Sequence, residues 1–355
     1  MSKNEELNIA KAVLNNMTDD QVRAAKRFFD RFSEYKKYVK LHSTYVEGAR
    51  QSLKNTQNGR IYCNYQIDGT VTGRISNSGA SVGRKKGDKI GVSFHTLPRE
   101  SLDVNIRDYV IAPPGHDFIT VDYAGMELRV LAHVANEVNM IKAFETGVDL
   151  HSYSAGLTFK KDPKDVTKLE RQIAKAVSFL TVYGGTAYTL ASKQNLPEDR
   201  AQEIIDSWMG AFPGVGGYMR TIDDYIKQFG YAKTIFGRIR NLPNVRSPWK
   251  SVRREAFRQG LNFTIQSAAS DILVCGMLGV ISKLKNMKSK VVATVHDSIE
   301  LIAPKDETAE VVRIVKDELE SAHYLKENFD INLRVPLSVD VEVGSSFGNG
   351  ETYPI

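Results

Sequence analysis

Cysteine is nearly missing from this chain: Cys63 and Cys275 are the only two among 355 residues. They lie far apart and in no metal-binding spacing, which excludes a disulfide framework and a cysteine zinc site and points to a reducing compartment. Long apolar runs are missing too, and the N-terminus, Met-Ser-Lys-Asn-Glu-Glu, is polar. Secretion and membrane insertion are therefore not expected; a cytoplasmic protein with no membrane partner is. No segment repeats. Acidic residues become scarce in one place: Arg238, Arg240, Arg246, Lys250, Arg253, Arg254 and Arg258 face a single acid, Glu255, across their span. So few counter-charges favour nucleic-acid contact over a plain solvated face.

The remaining composition, 42% hydrophobic and 25% charged, is that of a soluble globular chain with room for more than one lobe. The excess of 48 Lys+Arg over 42 Asp+Glu, a net charge of +6, agrees with a polyanionic partner. Residues 1–57 read as helices, with Val22, Phe28, Phe29, Phe32, Tyr35 and Val39 at near-helical spacing. Lys26, Arg27, Arg31, Lys36, Lys37 and Lys40 among them fit either a solvated face or nucleic-acid contact. A boundary falls near Gly59, before strand-like pieces at 61–65 and 70–72. Residues 77–93, rich in Gly, Ser and Lys and carrying Arg84, Lys85, Lys86 and Lys89, read as a loop. Phe118 to Asp122 reads as a buried strand ending on a carboxylate, Glu127 to Ala135 as a helix, and helices dominate to Gln228. A strand at 231–235 and a helix from Val252 to Lys285 follow, the latter carrying Arg258, Asn262 and Gln266 at steps of four. Lys290 to Leu301 reads as two strands around a tight turn at His296-Asp297. A helix at 307–322 and a strand at 337–343 close the chain.

Arg171, Lys175, Phe179 and Tyr183 also recur at steps of four and form one stripe on a helix of ~3.6 residues per turn. Thr167 and Glu170 have capping-box spacing at its start, and Gly184-Gly185 supplies its stop. A stripe that is cationic at one end and aromatic at the other suits a nucleoside triphosphate; two solvated cations beside two core aromatics would give the same spacing. Asp122 and Asp297 each follow an apolar strand, and burying two carboxylates is costly unless cations compensate them. Paired Mg²⁺ ions, ~3.5–4 Å apart in two-metal phosphoryl transfer, would do so. Spacing does not show that the two aspartates meet, and taken singly each reads as a turn or capping residue.

The segments Asp122-Tyr-Ala-Gly-Met-Glu127-Leu-Arg129, Arg171-x3-Lys175-x3-Phe179-x3-Tyr183-Gly184 and Val295-His296-Asp297 resemble, in order, the three polymerase motifs of family A DNA polymerases. That group includes bacterial DNA polymerase I and many phage replicative enzymes. Thr72-Gly73-Arg74-Ile75-Ser76, Phe212-Pro213-Gly214 and Arg258-x3-Asn262-x3-Gln266 resemble further family elements, so the likeness runs from about residue 60 to the C-terminus. It implies an α+β fold: a right-hand polymerase with a short helical thumb (1–58), an antiparallel-sheet palm (59–135 and 231–355) and helical fingers (136–230). It implies a template-dependent DNA polymerase of replication or repair that adds dNTPs to a primer 3′-hydroxyl. Asp122, Asp297 and the backbone carbonyl of Tyr123 would hold two Mg²⁺ ions, with Mn²⁺ as a substitute. Arg171, Lys175 and His151 would grip the triphosphate, Lys175 giving a proton to the departing pyrophosphate. Phe179 would lie near the incoming sugar and base, Tyr183 beside the templating position, and Glu127 where a ribose 2′-hydroxyl would need space. Arg74, Arg258, Asn262 and Gln266 would contact the primer-template minor groove, and His296 the primer terminus.

The chain departs from the family in three places. Ser298 stands where Glu is usual; Glu300 has the same strand parity, ~6.6 Å further along, and is the candidate substitute. Gly125 stands where many bacterial members have Gln, a phage-like feature. The 77–93 loop is longer than usual, His95 and Thr96 replace common amides in the Phe94 to Pro98 segment, and the loop's basic tip suits duplex DNA. Residues 1–58 are too few for a proofreading exonuclease. We therefore expect an exonuclease-deficient monomer of low processivity without a processivity partner, working in a bacterial or phage-infected cytoplasm. Two rivals remain in view: a single-subunit RNA polymerase, disfavoured by Glu127, and a catalytically silent DNA-binding relative, raised by Ser298.

Overall fold

The computed structural model of the protein describes residues 17–56, 58–81, 88, 90–98 and 104–354. The chain forms two compact units, one from residues up to 64 together with 77–109, the other from 65–76 and 110 onward. In the first unit, helix α1 (Asp19–Lys40) starts at a capping box in which Thr18 and Gln21 satisfy each other's backbone N–H groups. A π-helical turn, Leu41–Val46, leads into α2 (Glu47–Thr56). None of the α1 side chains is buried, whereas Leu41 and Tyr45 of the π turn are, and the Tyr45 hydroxyl donates to the Thr96 carbonyl.

Strands β1 (Cys63–Gln66) and β2 (Ser76–Gly79) pair as a two-stranded sheet. The strand expected at 70–72 is absent: these residues lie in a turn. Gly73, at φ +73°, closes it by donating its N–H to the Thr70 carbonyl at 3.2 Å, and the Thr70 hydroxyl donates to the Arg74 carbonyl at 2.8 Å. A left-handed glycine thus overrides the β-propensity of Thr-Val-Thr. The cations expected at the loop tip, Arg84, Lys85, Lys86 and Lys89, lie outside the described residues.

The second unit is built on a five-stranded antiparallel sheet. Strand β3 (His116–Tyr123) runs into α3 (Met126–Val134), and α4 (Val138–Glu145), α5 (Leu150–Phe159), α6 (Lys168–Val182), α7 (Ala187–Gln194), α8 (Glu198–Ala211) and α9 (Pro213–Phe229) follow. A short hairpin of β4 (Tyr231–Lys233) and β5 (Ile239–Asn241) precedes α10 (Lys250–Lys283). Then come β6 (Lys290–Val295), β7 (Ser298–Pro304), α11 (Thr308–Ser321), α12 (His323–Phe329), β8 (Val339–Gly344) and β9 (Glu351–Thr352). The sheet order is β6-β7-β3-β8-β9. Facing pairs Ile119–Leu301, Val121–Ile299 and Val121–Val341 lie on one face and are buried with Ile272, Val315 and Leu319 of α10 and α11. The opposite face carries Thr120, Asp122, Ser298, Glu300, Asp340 and Glu342. Helices with an antiparallel sheet make this the expected α+β fold.

By length and composition α10 is apolar enough to cross a membrane, a run not recognised in the sequence. It is a core helix, with Leu261, Phe263, Ile265, Ala268, Ala269, Ile272 and Leu273 buried. Gly276 lets it approach α11 closely, since a Cβ there would stand 2.6 Å from Leu319 Cδ2.

Within the helices that follow α3, Trp208 of α8 is fully buried. Its Nε1 donates to Ser154 Oγ of α5 at 2.9 Å and to Ser178 Oγ of α6 at 3.2 Å, tying three helices together. Glu137 caps α4 and also accepts from the Gly214 N–H at 2.6 Å, fixing the start of α9. Trp208→Ala should lower the unfolding free energy by about 3–5 kcal/mol through the cavity and the lost anchor. A urea denaturation midpoint unchanged from wild type would contradict this packing role.

Candidate active site

The β3–β7 register decides where the first acid stands. Asp122, next to last in β3, faces Ser298 across β7 and Asp340 across β8. Asp297 sits in the two-residue turn between β6 and β7, where His296 takes φ +58° and is exposed. The Tyr123 N–H donates to the Asp297 carbonyl at 3.4 Å, so both aspartates come to one end of the sheet. Tyr123 turns its side chain into the core, its hydroxyl donating to the Leu319 carbonyl at 3.2 Å, which leaves only its backbone toward this site. Asp297 is partly accessible, and Arg74 Nη2 lies 3.8 Å from its Oδ1.

Among the described residues no group of three or more His, Cys, Asp or Glu side chains forms a metal cluster. The aspartate pair nevertheless fits Mg²⁺, which is commonly held by one or two carboxylates together with substrate phosphates. Glu300 lies on the same face but is fully buried, accepting from Ser298 Oγ and Thr120 Oγ1, each at 2.6 Å.

A second group surrounds Glu127 in the first turn of α3, which Gly125 starts at φ +66°. Glu127 is buried, and Arg74 Nη2 at 2.5 Å and the Tyr183 hydroxyl at 2.7 Å donate to its two oxygens. Burial pushes the Glu127 carboxyl up in pKa, while the Tyr183 donor and the Arg74 charge pull it back. The Tyr183 hydroxyl is pushed up to about 12 by its own burial and by Glu127, with Gln266 of α10 and Arg74 pulling it partly back. Gly184, at φ +61°, ends α6 against the Arg258 stem; a Cβ there would fall 2.4 Å from Arg258 Cγ. Asn262 Oδ1 is buried without a hydrogen-bond partner.

The third group lies at the other end of α6, whose Thr167–Glu170 capping box forms as the spacing predicts. Arg171 makes a side-on pair with Asp149, Nε to Oδ2 at 2.8 Å and Nη2 to Oδ1 at 2.9 Å. Lys175, one turn on, is exposed. The His151 ring is 6.1 Å from that of Phe179, and its Nδ1 is buried without a partner. Burial, with Lys175 and Arg171 nearby, brings His151 down to about 4 against the partial opposition of Asp149. Arg171, Lys175, His151 and Phe179 therefore share one surface. From Arg171 to Tyr183 the helix rises about 18 Å, so the stripe joins two distinct groups.

Sequence reasoning missed Asp149. Its signal was local: an aspartate opening a helix three residues before Ser152, whose N–H it caps at 2.8 Å. The basic stretch is also less bare than it reads. Arg238 pairs with Asp271 at 2.6 Å, Arg258 with Glu255, and Arg253 donates to the Ser247 and Pro248 carbonyls.

An antiparallel sheet ending in paired aspartates, with a helical lobe presenting cations and aromatics, is the layout of a polymerase domain. The fold matches the POL domain of Pol1 from M. smegmatis in complex with DNA primer-template and dNTP, with a TM-score of 0.74 and 29% identity, covering 85% of this chain and 50% of that one. DNA polymerase I of Chloroflexus aurantiacus is 33% identical over 316 residues, 88% of this chain and 31% of its own. The thermostable DNA polymerase I of Thermus aquaticus is 30% identical over 329 residues, 92% of this chain and 37% of its own. Residues 1–349 match DNA polymerase family A, and the chain belongs to that family. It spans about a third of the length of these curated relatives.

In the fold His151 stays neutral down to about pH 4, whereas its ordinary value is 6.5. Between those values the unfolded chain binds more protons, so stability falls as the pH drops from 6.5 toward 4. His151→Gln should flatten that part of the curve of denaturation midpoint against pH; slopes equal to wild type would contradict the assignment.

Proposed function

We propose that this protein is a template-dependent DNA polymerase that joins a dNTP to a primer 3′-hydroxyl by two-metal phosphoryl transfer. The observation that carries the reading is the convergence of Asp122 and Asp297 at one sheet end beside the Arg74–Glu127–Tyr183 group. Asp122, Asp297 and the Tyr123 carbonyl would hold two Mg²⁺ ions, Mn²⁺ serving in their place. When bound, these ions would activate the primer hydroxyl and stabilise the charge of the leaving pyrophosphate. The chain's own residues do the rest. Arg171, Lys175 and His151 bind the triphosphate, and Lys175 delivers a proton to pyrophosphate as it leaves.

Phe179, beside His151, receives the sugar and base. Glu127, fixed by two donors, forms the wall that a ribose 2′-hydroxyl would strike, which selects dNTPs. Tyr183 borders the templating position. Arg74, Arg258, Asn262 and Gln266 meet the primer-template minor groove, whose acceptors long polar side chains on one helix face can reach. His296, at the tip of its turn, faces the primer terminus. In this reading residues 1–58 serve as a reduced thumb, 136–230 as fingers, and 59–135 with 231–355 as palm. Proofreading is not assigned to these residues, and a partner supplies processivity.

Primer extension with Mg²⁺, a primed template and dNTPs tests the reading. Asp122→Ala and Asp297→Ala should each cut extension by at least about a hundredfold, and Glu127→Ala should raise rNTP incorporation relative to dNTP. Wild-type protein that binds the DNA without extending it would favour the silent-relative reading raised by Ser298. Primer shortening without dNTPs would show that these residues themselves carry a proofreading activity.

A further inference from the structure

We propose that Asp149 is a specificity-determining residue of the nucleotide site: its carboxylate holds the Arg171 guanidinium as an internal stand-in for phosphate, so that short anions are disfavoured relative to a polyphosphate. This rests on the reading of Arg171 as a triphosphate-binding residue. The pair is planar and two-pointed, with contacts of 2.8 and 2.9 Å, which is the geometry a phosphate would itself adopt on an arginine fork.

Asp149 is not a loose arm. As the N-cap of α5 its Oδ2 also accepts from the Ser152 N–H at 2.8 Å and the Ser152 hydroxyl at 2.7 Å. The carboxylate therefore stays in place whether or not Arg171 is there. The site is nevertheless open, the two side chains being 45% and 44% exposed, so an incoming anion reaches the guanidinium. An exposed pair of this kind is cheap to exchange.

Anions differ in what they gain from that exchange. Orthophosphate would trade one fixed, intramolecular carboxylate for one mobile ligand, while Asp149 repels it. A triphosphate also reaches Lys175 one turn along α6 and His151 two residues beyond Asp149, so it can be held through those groups while Arg171 stays partly on Asp149, and it bears less of the cost of the exchange. Asp149 thus lowers affinity for every anion but penalises short ones most, which keeps the site from filling with phosphate.

Isothermal titration of inorganic tripolyphosphate and of inorganic phosphate into the whole protein tests this, with no DNA or metal added. Asp149→Asn keeps a capping oxygen but loses the charge, and Asp149→Ser, an equally good cap, is the second variant if the first fails to fold. Either should tighten phosphate about fivefold, the scale of an exposed ion pair, and tripolyphosphate by less, so that selectivity narrows. In an Arg171→Ala background the same changes should have a clearly smaller effect, since only the direct repulsion remains, an outcome that a purely structural cap would not produce. Unchanged or weaker phosphate binding in both single variants would overturn the proposal while leaving the nucleotide site intact. Tripolyphosphate binding that Arg171→Ala does not weaken would instead overturn the reading of the site itself.

Discussion

Asp122 facing Ser298 across β3 and β7 fixes the direction of every side chain in the central sheet. Side chains alternate with a period of two, so a slip of one residue would turn Asp122 into the core and Val121 out of it. Ile119, Val121, Ile299, Leu301 and Val341 oppose that slip together, because each is buried on the same face. At about 1.5–3 kcal/mol for each large apolar side chain, losing several at once outweighs any gain from re-pairing. The register therefore delivers Asp122 to the open face and brings it level with the turn that carries Asp297. The site's geometry follows from hydrophobic burial on the far side of the sheet.

The same logic of a rigid apolar back and an exchangeable polar front governs α6. Ile173, Ala174, Val177 and Leu180 are buried, and Ser178 accepts from Trp208, so the helix is seated in its lobe by packing. Its outward contacts are polar and lie at its two ends. Arg171 pairs with Asp149 near the start, and Tyr183 donates to Glu127 just past the end. Each end is thus held by a carboxylate through hydrogen bonds that, in the proposed function, a nucleotide or a duplex would replace. A helix fixed by its core and satisfied provisionally at its tips can engage ligand without rebuilding its packing.

Local signals were legible in the sequence; long-range pairings were not. The Thr167–Glu170 capping box, the left-handed Gly184 and the strand–turn–strand around His296-Asp297 all involve neighbours in the chain, and each formed as read. Residues 70–72 were misread because β-branched composition was weighed without the turn that Gly73 closes. Arg171–Asp149, 22 residues apart, and Arg238–Asp271, 33 apart, left no trace in spacing, so the basic stretch looked more available than it is. Strand parity placed Glu300 on the face of Asp122 but could not name Thr120, which reaches it from another strand. Family resemblance, not spacing, supplied the expectation that Asp122 and Asp297 meet.

Ser298 is best understood as a relocation of charge. A carboxylate at that position would stand opposite Asp122, with Cβ atoms roughly 4.5–5.5 Å apart, and would repel it. The serine hydroxyl instead donates a hydrogen bond to Glu300, to which Thr120 also donates, so the third carboxyl group is held deeper in the sheet and is satisfied by hydroxyls. The rim keeps two aspartates, and Arg74 at 3.8 Å offsets Asp297 while also neutralising Glu127. One guanidinium is thereby shared between carboxylates from a strand turn and from a helix start. The consequence is that Arg74 couples the aspartate-bearing end of the sheet to Glu127 at the start of α3.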